Sequence, residues 1–268
     1  MSDRKESLII FHADLDNTLI YSYKHEIGEE KRNVEVYKDR EISFMTEKSS
    51  SLLKLIRERV CFVPTTTRTE EQYGRIDLGL GVPDYALVCN GGILLKGTDE
   101  VSEWYEESLG VIENSREEFL RAFRILQEDP FRNFEVRNIR DLFLFTKSRM
   151  PAETAERMKR ELNPAFMGVF SNGNKVYAVP KGLDKGHAVR RFRDYIKADM
   201  VIAAGDSEFD IPMLEEADMA YAPEELRKRH NFSAHVTEIS ADRIFSDVLL
   251  EKILEKLSVL PGGTVSYK

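Results

Sequence analysis

The chain has 268 residues, of which 42% are hydrophobic and 32% are charged, and its formal net charge is −8. This composition is typical of a soluble globular protein with one large or two small domains, and it excludes a disordered chain. Acidic and basic residues are mixed along the sequence, which argues against nucleic-acid binding because that requires a clustered basic surface. No apolar run approaches the roughly 20 residues of a membrane span, so we expect a cytoplasmic protein without a membrane partner.

The first hundred residues alternate between predicted strands and helices, which is typical of a parallel sheet flanked by helices. A first strand ends at Phe11 or His12. The later predicted elements are a polar surface hairpin at 21–41, a helix at 46–59, a strand at 60–63, a helix at 69–78, and strands at 85–89 and 93–95. We therefore predict an α/β fold for this part of the chain.

The segment from 105 to 178 has a different rhythm and predicts an inserted α+β domain. Its predicted elements are helices at 115–127 and 152–162 and strands at 141–146, 168–171 and 175–179. The sequence Asn172-Gly173-Asn174 between the last two strands is a strong hairpin signal. The alternation then resumes with a helix at 185–196, a strand at 200–204 and helices at 211–217 and 241–257. Residues 1–104 and 179–268 would thus form one domain around the insertion.

Two carboxylates, Asp14 and Asp16, follow the first strand directly, with one residue between them. The carboxyl edge of a parallel sheet is where α/β proteins bind ligands, so this pair predicts a reactive site. One carboxylate can attack phosphorus to form an aspartyl phosphate, while the other protonates the departing alcohol and later deprotonates water. A simple turn with capping Asp and Thr side chains is the structural alternative.

A second pair of carboxylates, Asp206 and Asp210, follows the strand at 200–204 in the same way. If that strand neighbours the first one, the four carboxylates share one pocket. Each close pair would then repel by about 3 kcal/mol at ~5 Å and an effective dielectric constant near 20, so the cluster requires a cation. Because oxygen-only ligands favour Mg²⁺, which also binds substrate phosphate, we predict a Mg²⁺ site.

Two further segments could receive a phosphate group. Thr66, Thr67 and Arg68 lie between a strand and a helix, where hydroxyl and backbone N–H groups bind anions well. Lys181 and Lys185 lie where the chain returns from the insertion, and one of them could neutralise the nucleophile and the phosphoryl group. Each segment also has an ordinary explanation as a capped turn or a solvated lysine. Together with the carboxylate pairs, they favour a phosphate site.

These motifs, in this order, resemble those of the haloacid dehalogenase superfamily of phosphohydrolases. The segment 14–18 is similar to the first motif, Thr66 with Arg68 to the second, Lys185 to the third and the segment 205–210 to the fourth. The insertion is similar to the type IIB cap of Cof-like, sucrose-phosphatase-like and mannosyl-3-phosphoglycerate-phosphatase-like members. The resemblance implies a Rossmann-like core with a parallel sheet and an inserted α+β cap at 105–178.

The resemblance also implies the roles of individual residues. Asp14 would be the nucleophile and Asp16 the general acid/base. Thr66 and Lys185 would hold the phosphoryl group. The implied Mg²⁺ ligands are three carboxylates and one backbone carbonyl, namely Asp14, Asp206, Asp210 and the carbonyl of Asp16.

The leading functional prediction is a Mg²⁺-dependent phosphatase that hydrolyses a small phosphorylated metabolite, with a sugar phosphate as the first choice. A phosphomutase is the enzymatic alternative. A regulatory protein that binds metal and phosphate without turnover is another, motivated by Phe209, where family members often carry Asn. The cap would contact the leaving group, and Asn90 and Gly91, at the end of a core strand, are candidate substrate contacts.

Overall fold

A computed structural model describes residues 7–260, which divide into two compact units. The first unit contains the chain up to Glu100 and from Lys185 onward, and the second contains Val101–Asp184. The second unit therefore begins four residues before the predicted insertion and ends six residues after it. The difference at the first boundary arises because a helix that we did not predict, Ser102–Ile112, precedes the predicted ones.

The part of the first unit that precedes the insertion begins with a strand and continues with hairpins and two helices. Its elements in chain order are β1 (Ile9–Ala13), β2 (Tyr21–Ser22), β3 (Lys31–Tyr37), β4 (Arg40–Thr46), α1 (Glu47–Arg57), β5 (Cys61–Pro64), α2 (Glu70–Tyr73), β6 (Tyr85–Val88), β7 (Ile93–Lys96) and β8 (Asp99–Glu100). A short 3₁₀ turn, Cys89–Gly91, joins β6 to β7.

The second unit and the rest of the first unit follow. The second unit contains α3 (Ser102–Ile112), α4 (Arg116–Gln127), β9 (Arg137–Ile139), β10 (Phe143–Lys147), α5 (Pro151–Glu161), β11 (Met167–Asn172) and β12 (Lys175–Pro180). The first unit then continues with α6 (Lys185–Ile196), β13 (Met200–Ala204), α7 (Ile211–Glu216), β14 (Met219–Pro223), α8 (Glu224–Arg227), β15 (Val236–Ile239) and α9 (Phe245–Val259).

The main sheet of the first unit has five parallel strands in the order β15-β14-β13-β1-β5. Every residue of β1 is buried, as expected for a central strand covered by helices on both faces. On one face, α1 and α9 supply Leu53, Ile56, Leu249 and Ile253 to the hydrophobic core. The predicted α/β fold with a parallel sheet flanked by helices is confirmed.

The predicted surface hairpin at 21–41 is present and mostly exposed, but its second strand continues to Thr46 and a part of its first strand is buried. Its long strands are β3 and β4, and they pair around a turn at Lys38 and Asp39, which both adopt left-handed backbone conformations with φ of 52° and 59°. The register shifts on either side of Glu35, which indicates a bulge, and both Val34 and Glu35 are buried. The polar residues of this segment suggested exposure throughout. A bulge that buries two neighbouring residues cannot be recognised from such a pattern.

The second unit is an α+β module, as predicted for the insertion. Its antiparallel sheet has the strand order β11-β12-β10-β9. The helices α4 and α5 pack on the sheet through a core that includes Leu126, Met158, Leu144 and Val176. Throughout residues 7–260, no helix combines the length and the apolar composition that a membrane crossing requires.

Candidate active site

The ends of three neighbouring strands are tied together at the carboxyl edge of the main sheet. The N–H of Asp14 donates to the carbonyl of Ala204 at the end of β13, at 2.9 Å. On the other side of β1, the N–H of Thr65 donates to the carbonyl of Ala13, at 2.8 Å. These bonds extend the parallel ladders by one residue and place Asp14 between the loops that follow β13 and β5.

A tight turn after β1 separates the side chains of Asp14 and Asp16. The carbonyl of Leu15 accepts hydrogen bonds from the N–H groups at 18, 19 and 20, and Asn17 adopts a left-handed conformation with φ of 61°. Thr18 is buried and its hydroxyl donates to Oδ1 of Asp206, at 3.3 Å. The turn thus buries Asp14, whereas 49% of the side chain of Asp16 is exposed.

The first residue of α6, Lys185, places a buried ammonium group among the carboxylates. Its side chain is 1% exposed, and its Nζ lies 2.6 Å from Oδ1 of Asp14 and 2.5 Å from Oδ1 of Asp210. Burial alone would lower the pKa of Lys185, but the two carboxylates outweigh it and raise this pKa. Lys185 is therefore charged throughout the working pH range. The other candidate, Lys181, is exposed.

Asp210 organises the loop that follows β13. Its Oδ2 accepts hydrogen bonds from the N–H groups of Asp206 and Ser207, at 3.1 and 2.9 Å, and from the Ser207 hydroxyl, at 2.8 Å. This contact requires Gly205, because a Cβ atom there would lie 2.3 Å from Cβ of Asp210. The fully buried Asp210 consequently holds the loop in the conformation that presents Asp206 to the site.

The carboxylates of Asp14, Asp206 and Asp210 form a compact group that fits a divalent cation. One oxygen from each lies within 4.8 Å of the others. Burial, together with the neighbouring carboxylates, raises the pKa of Asp14 well above its usual value and that of Asp206 to about 7. The ammonium group of Lys185 contacts two of these three carboxylates, and hard oxygen ligands are those that Mg²⁺ prefers. The side chain of Asp16 lies outside this group, so its predicted contribution through the carbonyl stays a prediction.

In the absence of a divalent cation, we expect the protein to lose stability as the pH rises from about 5 to 8. The pKa of Asp206 is raised from 3.8 to about 7 on folding, so the folded protein retains a proton in this range that the unfolded chain has lost. The stabilisation is complete below the unfolded pKa and disappears as the pH passes the folded pKa. We expect the Tm in chelator to decrease by on the order of 5 °C, and Mg²⁺ to restore it most at pH 8.

Thermal melts of the wild type and of Asp206→Asn across this pH range test that expectation. The variant lacks the titrating carboxylate, so its Tm should decrease less steeply with pH in chelator. Equal slopes for the two proteins would show that Asp206 does not carry the effect.

The loop after β5 is joined to the loop after β6 by backbone hydrogen bonds. The side-chain hydroxyl of Thr66 accepts a hydrogen bond from the N–H of Arg68, at 3.1 Å. The backbone carbonyl of Thr66 accepts one from the N–H of Asn90, at 2.9 Å. The N–H of Cys89 donates to the carbonyl of Arg68, at 2.8 Å. Cys89 and Asn90 both adopt left-handed backbone conformations, with φ of 53° and 60°, which are uncommon outside glycine. The two loops therefore form one rigid edge of the site.

The guanidinium group of Arg68 contacts two carboxylates. It donates to both oxygens of Asp16, each at 2.7 Å, and to both oxygens of Glu35, at 2.9 and 3.0 Å. All three nitrogens of Arg68 donate hydrogen bonds to these carboxylates. Phosphate binding by Arg68 stays a prediction. The sequence analysis missed Glu35, because nothing in the polar stretch around it signals burial.

The structure places all the predicted site residues in the first unit: Asp14, Asp16, Thr66, Thr67, Arg68, Asn90, Gly91, Lys185, Asp206 and Asp210. It brings Asp14, Lys185, Asp206 and Asp210 into one cluster, and Asp16 with Arg68 into another. Their individual catalytic and binding roles stay predictions. Phe209 is buried, so its side chain contributes to packing.

A family model described as haloacid dehalogenase-like hydrolase matches residues 98–238, which is more than half of the chain. The chain belongs to this family. The predicted family is thereby confirmed. A phosphoglycolate phosphatase from Methanopyrus kandleri is 29% identical over 149 residues, which cover 54% of this hydrolase and 61% of the relative. The match thus spans less than two thirds of that relative.

Solved structures with the same fold include three phosphatases or nucleotidases. A sucrose-phosphatase from Synechocystis, in complex with sucrose and phosphate, has a TM-score of 0.62 at 16% identity, with 94% of this chain and 98% of that chain covered. An IMP-nucleotidase from Plasmodium falciparum has a TM-score of 0.58 at 11% identity, with coverages of 94% and 72%. A phosphatase from Bacteroides thetaiotaomicron has a TM-score of 0.55 at 15% identity, with coverages of 97% and 98%. The likeness to sucrose-phosphatase supports the predicted subgroup at the level of the fold.

Proposed function

We propose that this haloacid dehalogenase-like hydrolase is a Mg²⁺-dependent phosphatase that acts on a small phosphorylated metabolite, with sugar phosphates as the leading class. The observation that carries the proposal is the cluster of Asp14, Asp206 and Asp210, in which Lys185 contacts Asp14 and Asp210, with Asp16 two residues from Asp14. Relatives named as phosphatases support the reaction, and a structural relative solved with sucrose and phosphate supports the substrate class. The second unit would act as the cap that selects the substrate.

In the proposed first step, a carboxylate oxygen of Asp14 attacks phosphorus. The bond between phosphorus and the ester oxygen breaks, and Asp16 gives a proton to that oxygen, so the alcohol leaves neutral. Lys185 lies against Asp14 and offsets the negative charge that the nucleophile and the phosphoryl group bring together.

In the proposed second step, water attacks the phosphorus of the aspartyl phosphate. Asp16 now accepts a proton from the water, the bond between phosphorus and Asp14 breaks, and inorganic phosphate leaves. Asp16 suits this exchange because half of its side chain is exposed, so both alcohol and water can reach it. Both residues return to their starting states at the end of the cycle.

The proposed cation ligands are Asp14, Asp206, Asp210 and the carbonyl of Asp16, as the resemblance implies, and the grouping of the three carboxylates supports them. When bound, Mg²⁺ would neutralise carboxylate and phosphoryl charge and orient the phosphate. Asp210 belongs to the same cluster, and its four hydrogen-bond contacts make it the residue that fixes the loop of Asp206.

Phosphate release from 4-nitrophenyl phosphate and from a panel of sugar phosphates tests the proposal. We expect turnover with Mg²⁺, loss of turnover to the background rate with a chelator, and recovery when Mg²⁺ is added in excess. The three carboxylates repel one another and cannot bind a phosphate dianion without the cation, which is the reason for this dependence. Isomerisation without net phosphate release would favour a phosphomutase, and binding of metal and phosphate without any product would favour the regulatory alternative.

A further inference from the structure

A buried glutamate outside the proposed catalytic set, Glu35, is linked to Asp16 through Arg68. Glu35 lies on β3, its side chain is 1% exposed, and its carboxylate accepts hydrogen bonds from three residues. The donors are Arg68, at 2.9 and 3.0 Å, the hydroxyl of Ser43, at 2.7 Å, and Nε of Arg75, at 3.2 Å. Burial alone would raise the pKa of Glu35, but these hydrogen bonds outweigh it and hold the pKa below its usual value. Glu35 is thus buried and ionised, and both of its carboxylate oxygens accept hydrogen bonds.

Glu35 lies at a bulge in β3. The pairing of β3 with β4 shifts register on both sides of Glu35. The side-chain amide of Asn33 fills the resulting gap by donating to the carbonyls of Glu35 and Ser43, at 3.0 and 3.1 Å. Bulges commonly redirect a side chain next to functional sites.

The plane of the Arg68 guanidinium is fixed by two carboxylates on two of its edges. Nε and Nη2 donate to Asp16, while Nη1 and Nη2 donate to Glu35. Two bidentate pairs on one planar group leave little freedom for rotation. Half of the Asp16 side chain is exposed to solvent, where packing restrains it little. Its orientation is held by the two hydrogen bonds that Arg68 donates to its oxygens. The orientation of Asp16 consequently depends on Arg68, and that of Arg68 on Glu35.

We propose that Glu35 is a positioning residue for the proton transfer by Asp16, and that it acts through Arg68. This inference rests on the proposed function. The inference predicts that the effect of a substitution at Glu35 on the reaction rate depends on the leaving group. An alkyl leaving group needs the proton from Asp16 as its bond to phosphorus breaks, whereas 4-nitrophenolate is stable enough to leave without it. A loss of orientation at Asp16 therefore affects alkyl phosphates selectively in the first step, which kcat/KM reports, whereas the second step is the same for both substrates.

The test measures kcat and KM of wild type and Glu35→Gln with 4-nitrophenyl phosphate and with the alkyl phosphate that the wild type hydrolyses fastest. Gln has the shape of Glu, but its NH₂ group must face one of the donors that Glu35 now accepts from. We expect kcat/KM for the alkyl phosphate to decrease about 10- to 100-fold, a part of the 10²–10⁴ that general acid catalysis contributes. We expect kcat/KM for 4-nitrophenyl phosphate to change less than about threefold.

Arg75→Met is the matched control, because it removes a charged partner of Glu35 without touching Arg68 or Asp16. It should lower the Tm and leave unchanged the ratio of kcat/KM for the alkyl phosphate to kcat/KM for 4-nitrophenyl phosphate. If Glu35→Gln does not fold, as judged by its thermal melt, Glu35→Asp takes its place. That variant keeps the charge but has a side chain one methylene shorter, which withdraws the carboxylate from Arg68, and we expect a selective loss of about threefold in kcat/KM with the alkyl phosphate.

Three results would overturn the inference: equal losses with both substrates, no loss with either, or a faster reaction of the alkyl phosphate. The last result would mean that Arg68 restrains Asp16 rather than orienting it. A change in the rate ratio for Arg75→Met as large as that for Glu35→Gln would also contradict it. Failure of the proposed function is recognised separately, since the wild type would then release no phosphate from any substrate.

Discussion

Replacing Asp14 by Asn should abolish phosphate release while leaving the protein folded. The amide of Asn is a very weak nucleophile, and we expect kcat to decrease by roughly 10⁴-fold or more, as when other hydrolases lose their nucleophile. Folding should survive because Lys185 keeps its contact with Asp210, at 2.5 Å. In chelator the variant should be at least as stable as the wild type, since one of the crowded carboxylates is gone. Phosphate release and thermal melts measure both effects.

Asp194→Asn is the matched control for this experiment. Asp194 is an exposed residue of α6, so the same chemical change there should affect neither turnover nor Tm. If Asp14→Asn retained a rate comparable to that of the wild type, the assignment of Asp14 as the nucleophile would be wrong.

Replacing Lys185 by Met should impair both activity and stability. The side chain is 1% exposed and its Nζ contacts Asp14 and Asp210, at 2.6 and 2.5 Å. Removing one partner of a buried ion pair typically costs about 3–5 kcal/mol, because the remaining charges lose their compensation. We expect the Tm to decrease by roughly 10 °C and kcat by about 10²–10³-fold, since the nucleophile and the phosphoryl group then face each other without the ammonium.

Thermal melts and steady-state kinetics measure this effect, with Lys181→Met as the control. Lys181 is close in sequence but exposed, so its loss should leave Tm and kcat nearly unchanged. Similar effects of the two substitutions, or a kcat of Lys185→Met near the wild-type value at a temperature where it is folded, would exclude a role for Lys185 at the nucleophile.

The sequence alone predicted three of the five strands of the main sheet and much of the cluster at its edge. The strand at 200–204 and the helix at 185–196 were predicted with the bounds that the structure has. Long apolar or strongly periodic segments define such elements locally. β14 and β15 were missed because they are short, and because Pro223 in β14 and the polar Thr237 and Glu238 in β15 weaken the apolar pattern of a buried strand. The helix predicted at 69–78 is limited to Glu70–Tyr73, which ends at Gly74.

The parts of the candidate site that the sequence could not predict depend on long-range contacts. Arg68 was predicted from its place after a strand, but its pairing with Asp16 and Glu35 joins residues 52 and 33 positions away. Glu35 gave no signal because a bulge, rather than a periodic pattern, buries it. Asp210 was predicted as a metal ligand by its spacing from Asp206, while its role in holding that loop follows from the backbone N–H groups that it meets.

The most direct test of the proposed chemistry is to trap the phosphorylated enzyme. The full-length protein is mixed with Mg²⁺ and 4-nitrophenyl phosphate, quenched with acid during turnover, digested and analysed by peptide mass spectrometry. We predict one phosphoryl group on the peptide that contains Asp14, and none on the same peptide of Asp14→Asn. Steady release of phosphate with no phosphorylated peptide, or with the phosphoryl group on another residue, would contradict the proposed mechanism.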